Sequence, residues 1–256
     1  MDIVVLIKFV PDLVEDLEID ASTGLLDRGF LRLMPNELDD HALEEALLLK
    51  ERHGGKVTVL TLDTGDVDET LFTAVAKGAD RVIKITGEGF DQGVSNQRIA
   101  AILEQTLADI PGDLILTGTQ AVDDLDGFVG ALLAERLGLP YVGYVTKVTA
   151  ADGKLIAQKE YPGGLNAEIA VSGRAVLGIQ AAEKPPRYVV TSKVMEAMKK
   201  AKIDEVEAGE VFVDGEVPVT AMAIPESGTR AEMIEGNVQQ VAEKLAQLLR
   251  DRGVIA

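Results

Sequence analysis

The sequence predicts an α/β protein with a doubly wound, mostly parallel sheet, added antiparallel strands and an extended C-terminal arm. Two observations predict it. Through residues 3–138, apolar runs rich in β-branched residues alternate with segments of helical period, joined by short links. That is the pattern of parallel strands covered by helices on both faces. After residue 140 short strands separated by turn signals replace the alternation, and from about Pro185 the pattern dissolves.

The elements follow in order. "IVVLIKFV" (3–10) is a continuous apolar run, a strand buried on both faces. In "ELDDHALEEALLLKER" (37–52), Leu38, Ala42, Leu43, Ala46, Leu47 and Leu49 recur at helical spacing, with acids early and bases late as the helix dipole favours. "KVTVLTL" (56–62) reads as strand and "DVDETLFTAVAKG" (66–78) as a helix closed by Gly78. Strand 80–86, helix 95–110, strand 113–118 and helix 126–138 continue the series. "YVTKVTA", "KLIAQKEY", "NAEIAVSG" and "AVLGIQ" are short strands split by "ADG", "PGG" and "GRA", expected to extend the sheet on one side as antiparallel strands. The chain divides into a nucleotide-binding α/β domain, 1–185, and a recognition loop with arm and helix, 186–256. Residues 186–235 carry too few apolar side chains in register to fold alone, so they are expected to pack on another chain. A basic helix, "SKVMEAMKKAK", and a final amphipathic helix, "VQQVAEKLAQLLRDRG", lie within this second part.

Composition narrows the chemistry. The chain has 256 residues and no cysteine, which excludes disulfides, thiolate metal sites and a cysteine nucleophile. His41 and His53 are its only histidines, too few for a histidine-rich metal centre. With 25 Lys+Arg against 43 Asp+Glu the net charge is −18, which repels nucleic acid and anionic membrane. No apolar run reaches membrane-spanning length and no leader pattern precedes the first strand. A cytoplasmic protein is the expectation.

The segment "TGTQAVDDLDGFVG" (117–130) follows a buried strand and opens a helix. In an open parallel sheet ligands collect beyond the strands' carboxyl ends, and a helix N-terminus suits phosphate. Three readings of the loop stand here. Asp123, Asp124 and Asp126 offer oxygens to a cation, although no calcium-loop spacing is present. Asp and Gly are also ordinary turn and N-cap residues. In the third reading, backbone amides beside Gly118, Gly127 and Gly130 take a nucleotide phosphate, and the aspartates take ribose or adenine. A Walker loop and a GxGxxG are absent, which disfavours ATP hydrolysis.

Six stretches carry a family resemblance: "VVLIKFVPD", "NELDDHALEEALLLKE", "DETLFTAVAKGADRVIKI", "LTGTQAVDD…VGALLAERLGLP", "KPPRY" and "IPESGTRAEMIEG". In this order they resemble the β subunit of the electron transfer flavoproteins along nearly the whole chain. The resemblance implies a heterodimer with a larger α subunit that holds most of the main FAD. It also implies a β chain with its own nucleotide site, AMP or a second FAD, and a C-terminal arm wrapped around the partner. Electrons would pass from flavin dehydrogenases, such as acyl-CoA dehydrogenases, to a quinone oxidoreductase or another acceptor. No catalytic residue and no metal are implied. The implied nucleotide contacts are Leu6, Asn36, Leu38, Asp39, Leu62, Gly118, Gln120, Asp123, Asp124, Asp126, Gly127, Phe128 and Val129. Pro186, Arg187, Tyr188, Thr191, Ser192 and Met195 are the implied partner-recognition residues.

Two departures bear on function. AMP-type members carry a threonine hydroxyl where this chain has Val129. The valine, "FVPD" and "EIDASTGLLDRG" resemble the electron-bifurcating branch, whose β subunit holds a second FAD and which forms part of NADH-dependent oxidoreductase complexes. Lys159 and Pro162 stand where that branch has an arginine and an acid. Thr191 replaces the leucine anchor of carriers that serve many acyl-CoA dehydrogenases. The alternative from another class is an adenine-nucleotide enzyme or sensor reusing the fold.

Overall fold

The computed structural model describes all residues except Asp126, Asp152, Gly215, Val217, 226–230, Glu232 and Ala256. Its first strand shows how the apolar pattern becomes two cores. In β1 (Asp2–Leu6), Ile3 and Val5 face α1 (Glu37–His53) and α2 (Asp68–Lys77). Val4 and Leu6 face α3 (Asn96–Thr106) and α4 (Val129–Leu137). A strand apolar on successive positions serves both faces, so helices cover the sheet on each side. The doubly wound α/β class is therefore the observed fold.

The remaining strands are β2 (Phe9–Pro11), β3 (Leu33–Pro35), β4 (Lys56–Leu62), β5 (Arg81–Thr86), β6 (Leu114–Gly118), β7 (Tyr141–Ala151), β8 (Lys154–Tyr161), β9 (Leu165–Val171), β10 (Ala175–Ile179) and β11 (Asp204–Glu207). Among the described residues the main sheet has the order β11-β5-β4-β1-β6-β10-β7-β8-β9. From β11 through β7 all neighbours are parallel; β7, β8 and β9 are antiparallel. The register places Ile3 between Val57 and Leu114. The chain goes from β1 to one side for β4 and β5, then crosses back to lay β6 on the other side. The switch of direction falls between β1 and β6, where ligands collect in such sheets.

Three sequence expectations are corrected. "IVVLIKFV" is two strands: Lys8 breaks the run, and β2 pairs antiparallel with β3 in a small separate sheet. "AVLGIQ" does not join the antiparallel set; β10 lies parallel between β6 and β7. All five of its residues are buried, as a strand flanked on both edges and both faces requires, whereas β9 alternates. Gly178 permits this insertion, since a Cβ there would meet the Tyr141 hydroxyl at 2.5 Å. Third, the stretch 186–235, expected to pack on another chain, contributes β11 to this chain's own sheet edge. Its acids meet complementary bases on β5, Arg81 with Asp204 at 2.7 Å and Lys84 with Glu205 at 3.4 Å, and Val206 packs on the core below. A short charged strand also blunts the sheet edge against further pairing.

Helix α5 (Thr191–Lys200) buries Val194 and Ala197 against α2. Beyond β11 the arm touches the domain at a few points, including Met222 N–H to the Gly24 carbonyl at 2.7 Å and the Ser95 hydroxyl to Glu216. Helix α6 (Val238–Asp251) carries a full capping box at Asn237 but buries none of its residues. Its apolar residues Val238, Leu245, Leu248 and Leu249 are exposed.

Candidate functional site

Parting two parallel strands leaves backbone donors at their ends without partners, and the sequence supplies an acid there. Asp39, in the first turn of α1, reaches over the switch point. One oxygen accepts the Lys8 N–H just past β1 at 2.8 Å, and the other accepts the Gly118 N–H at the end of β6 at 2.5 Å. Its complete burial raises its pKa to about 7, against those hydrogen bonds, Asn36 and the Lys8 charge, which lower it. Asn36, the N-cap of α1, uses its side chain elsewhere: Nδ2 donates to the Gln120 carbonyl at 3.0 Å. Gly118 is a glycine because a Cβ would come within 2.7 Å of the Leu38 Cβ and 2.8 Å of the Asp39 carboxylate.

Lys8 organises the loop that follows β6. Its Nζ donates to Asp123 at 2.7 Å, Asp124 at 2.9 Å and Asn96 at 2.8 Å. Asp124 has further donors: Asn96 Nδ2 at 2.7 Å and the Ala121 N–H at 2.7 Å. Asn96 Nδ2 also reaches the Gly127 carbonyl at 2.8 Å, so α3 pins the loop at two points. The Asp124 side chain is only 4% exposed and is absorbed in building the loop, whereas Asp123 is 32% exposed beside the cleft. The pair of aspartates thus divides its work.

An inner cavity of about 70 Å³ lies under these groups, walled by Leu6, Leu60, Leu62, Ile99, Leu103 and Val129, with Lys8, Asn36, Asp39, Gly118, Gln120, Asp123 and Asp124 at its polar side. It shares Lys8, Arg28, Leu33, Gly93, Val94 and Asp123 with an outer cleft of about 1060 Å³. The inner space alone is below the roughly 300 Å³ that a small-molecule site needs, and the outer cleft exceeds it. Helix α4 begins at the inner cavity with Phe128 as its N-cap, and no described side chain caps it. Among the described residues no side chain takes its first-turn amides, which suit an acceptor.

Nine of the expected contacts lie on the inner cavity: Leu6, Asn36, Asp39, Leu62, Gly118, Gln120, Asp123, Asp124 and Val129. Leu38 stands behind Gly118, and Gly127 and Phe128 are exposed away from the lining. Asp126 lies outside the described residues. Lys8, Asn96 and Arg28 are additions. A signal for Lys8 existed, the one charge inside an apolar strand run; nothing local marked Asn96 or Arg28. Among the described residues no three His, Asp or Glu side chains are grouped to hold a metal ion. Lys159 lies over the rings of Tyr144 and Tyr161, 5.5 and 5.3 Å from their centroids, and lines neither cavity.

The expected recognition segment is clamped to α1. Arg187 donates to both oxygens of Glu44, at 2.8 to 3.1 Å, and to Glu51 at 2.7 Å; its N–H also reaches Glu44. Burial pushes the Glu44 carboxyl up, but Arg187 outweighs it and the pKa is lowered. The neighbouring Glu45, buried and raised by that burial, accepts the Glu183 and Val148 N–H groups. Pro186 lies beside α1 and α2, while Tyr188, Thr191, Ser192 and Met195 are exposed. No described helix is long and apolar enough to cross a membrane.

The electron transfer flavoprotein domain matches residues 31–211, a span that ends just after β11. The electron transfer flavoprotein subunit beta of Thermoanaerobacterium thermosaccharolyticum is 31% identical over 263 residues, covering all of both chains. That of Methylophilus methylotrophus is 31% identical over 266 residues, covering 98% of each, and that of Bacillus subtilis 27% over 259 residues, covering all of both. With more than half of its length inside the family's domain and full-length relatives under one description, the chain belongs to the electron transfer flavoproteins, on their β-subunit side.

Proposed function

We propose that this chain is the β subunit of a heterodimeric electron carrier and holds an adenine nucleotide of its own in the cleft at the switch point. The family supplies the electron-transport role and an α-subunit partner. The observation that carries the nucleotide reading is the meeting, at the ends of β1 and β6, of an apolar slot with a helix N-terminus and a free-edged carboxylate. In this reading adenine enters the slot between Leu6, Leu62 and Val129. Asp123 and Gln120 take polar groups of the sugar or base, and the first-turn amides of α4 take phosphate. Asp39, Asp124 and Lys8 hold the walls in place.

A second FAD is the reading favoured over AMP. The inner slot continues into a cleft of about 1060 Å³. Phe128 stays off the lining, and Val129 offers no hydroxyl to cap a terminal phosphate. With two flavins the pair belongs with bifurcating oxidoreductases rather than with carriers of a single FAD; AMP is the alternative. When bound, a flavin supplies the redox chemistry, and this chain binds it, orients it and sets the dielectric around it. The redox partners in this reading are flavin dehydrogenases and a quinone-linked or other acceptor, and the location is the cytoplasm. The exposed faces of α5 and α6 and the thinly attached arm belong against the α subunit.

Co-expression with an α subunit is expected to give a 1:1 complex in which limited proteolysis spares residues 208–256. A lone chain that is monodisperse and equally resistant in its arm would overturn the partner reading.

A further inference from the structure

Lys8 and Arg28 are the two cationic side chains on the walls of both the inner cavity and the outer cleft. Lys8 is spent on Asp123, Asp124 and Asn96. No described residue gives the Arg28 guanidinium a hydrogen bond or an ion pair, although it is half-buried in a chain of net charge −18. It packs closely against Gly93, in the loop after β5: a Cβ at Gly93 would meet Arg28 Nη2 at 2.6 Å and Cζ at 2.7 Å.

The acids of the outer cleft are engaged with donors of their own. Asp20 accepts from Ser22 and Thr23, Asp27 from the Gly29 N–H, Asp91 from Gln92, and Glu216 from Ser95. An arginine left over in such a wall presents a planar fork suited to phosphate oxygens. Its place along the cavity decides which phosphate. Val129, at the start of α4, lines the inner cavity only, whereas Arg28 lines the inner cavity and the outer cleft. A phosphate chain that leaves the α4 N-terminus toward the outer cleft runs through the stretch that Arg28 and Lys8 line in common.

We propose that Arg28, seated on Gly93, is the specificity-determining residue of this cleft, taking the second phosphate of a bound adenine nucleotide and so selecting a nucleoside diphosphate group over a monophosphate. The proposal rests on the nucleotide reading above. Gly93 keeps its role through shape, since a methyl group there would push the guanidinium out of the passage.

The test titrates ADP and AMP into the heterodimer after its β-site nucleotide has been removed, comparing wild type with Arg28→Gln and Arg28→Lys. Wild type is expected to bind ADP at least tenfold more tightly than AMP. Arg28→Gln is expected to weaken ADP by about ten- to a hundredfold, the range for a charge-assisted contact, and to leave AMP unchanged. Arg28→Lys, which keeps the charge and loses the fork, is expected to fall between them. Equal affinity for ADP and AMP in wild type, or an Arg28→Gln variant that weakens both nucleotides alike or neither, overturns the assignment of Arg28 and leaves the nucleotide reading standing. Binding of neither nucleotide to wild type overturns both.

Discussion

Arg187→Ala is expected to destabilise the fold by about 3–5 kcal/mol, the usual cost of leaving a buried charge without its partner. Glu44 is 3% exposed, and Arg187 is the only described cation in ion-pair contact with it, through side chain and backbone together, while Lys77 adds a weaker charge. Removing the guanidinium strands that carboxylate between α1 and the segment that enters α5. It also frees Glu51 and the Lys77 carbonyl. In a chain of this length the loss corresponds to a fall of roughly 6–20 °C in Tm. Chemical denaturation of the purified complex measures it. Replacing both partners, as in Glu44→Met with Arg187→Met, is expected to recover much of the loss, because no buried charge then remains. A single variant that loses less than about 1 kcal/mol would place the pair with ordinary surface ion pairs.

Lys8→Met is expected to act on the site itself. The side chain is 14% exposed and binds Asp124, which is 4% exposed, together with Asp123 and Asn96. Methionine preserves much of the length but removes the only cation that the described structure places on the two carboxylates. Again about 3–5 kcal/mol is at stake, concentrated in residues 117–127 because the strands beneath keep their ladders. Amide exchange should quicken at Gly118, Ala121 and Asp124, and the nucleotide retained through dialysis should fall at least tenfold. Undiminished nucleotide with unchanged exchange would show that the loop holds its shape without Lys8.

These two residues also show where the sequence was legible. The layered fold was readable because the central strands β1 and β6 are short apolar runs and the helices between strands repeat at their own period; burial writes both locally. The loop 117–130 was readable because glycines and acids cluster in it. Lys8 was not readable as the loop's organiser, since its partners lie 88, 115 and 116 residues away in sequence. Only the crossing from β1 to β6 brings them together. Strand β10 was read as one of an antiparallel series because its connection is short, while its true signal was five buried residues without alternation. Strand β11, "DEVE", has no apolar pattern at all. Its pairing comes from Arg81 and Lys84 on the neighbouring strand and cannot be seen from its own four residues.

Asp124 carries the same lesson at the site. In sequence it is equivalent to Asp123, an acid next to an acid. In the fold one is consumed by Lys8, Asn96 and Ala121, and the other borders the cleft. Spacing names the candidates, and packing assigns them.

The heterodimer is expected to carry an adenine nucleotide held by this chain itself. Acid release followed by chromatography, on the heterodimer with its α subunit, counts nucleotides directly. The expected result is two adenine nucleotides per heterodimer, both FAD on the reading favoured here. One FAD with one AMP would retain the site and overturn the second flavin. One FAD alone would contradict the central claim.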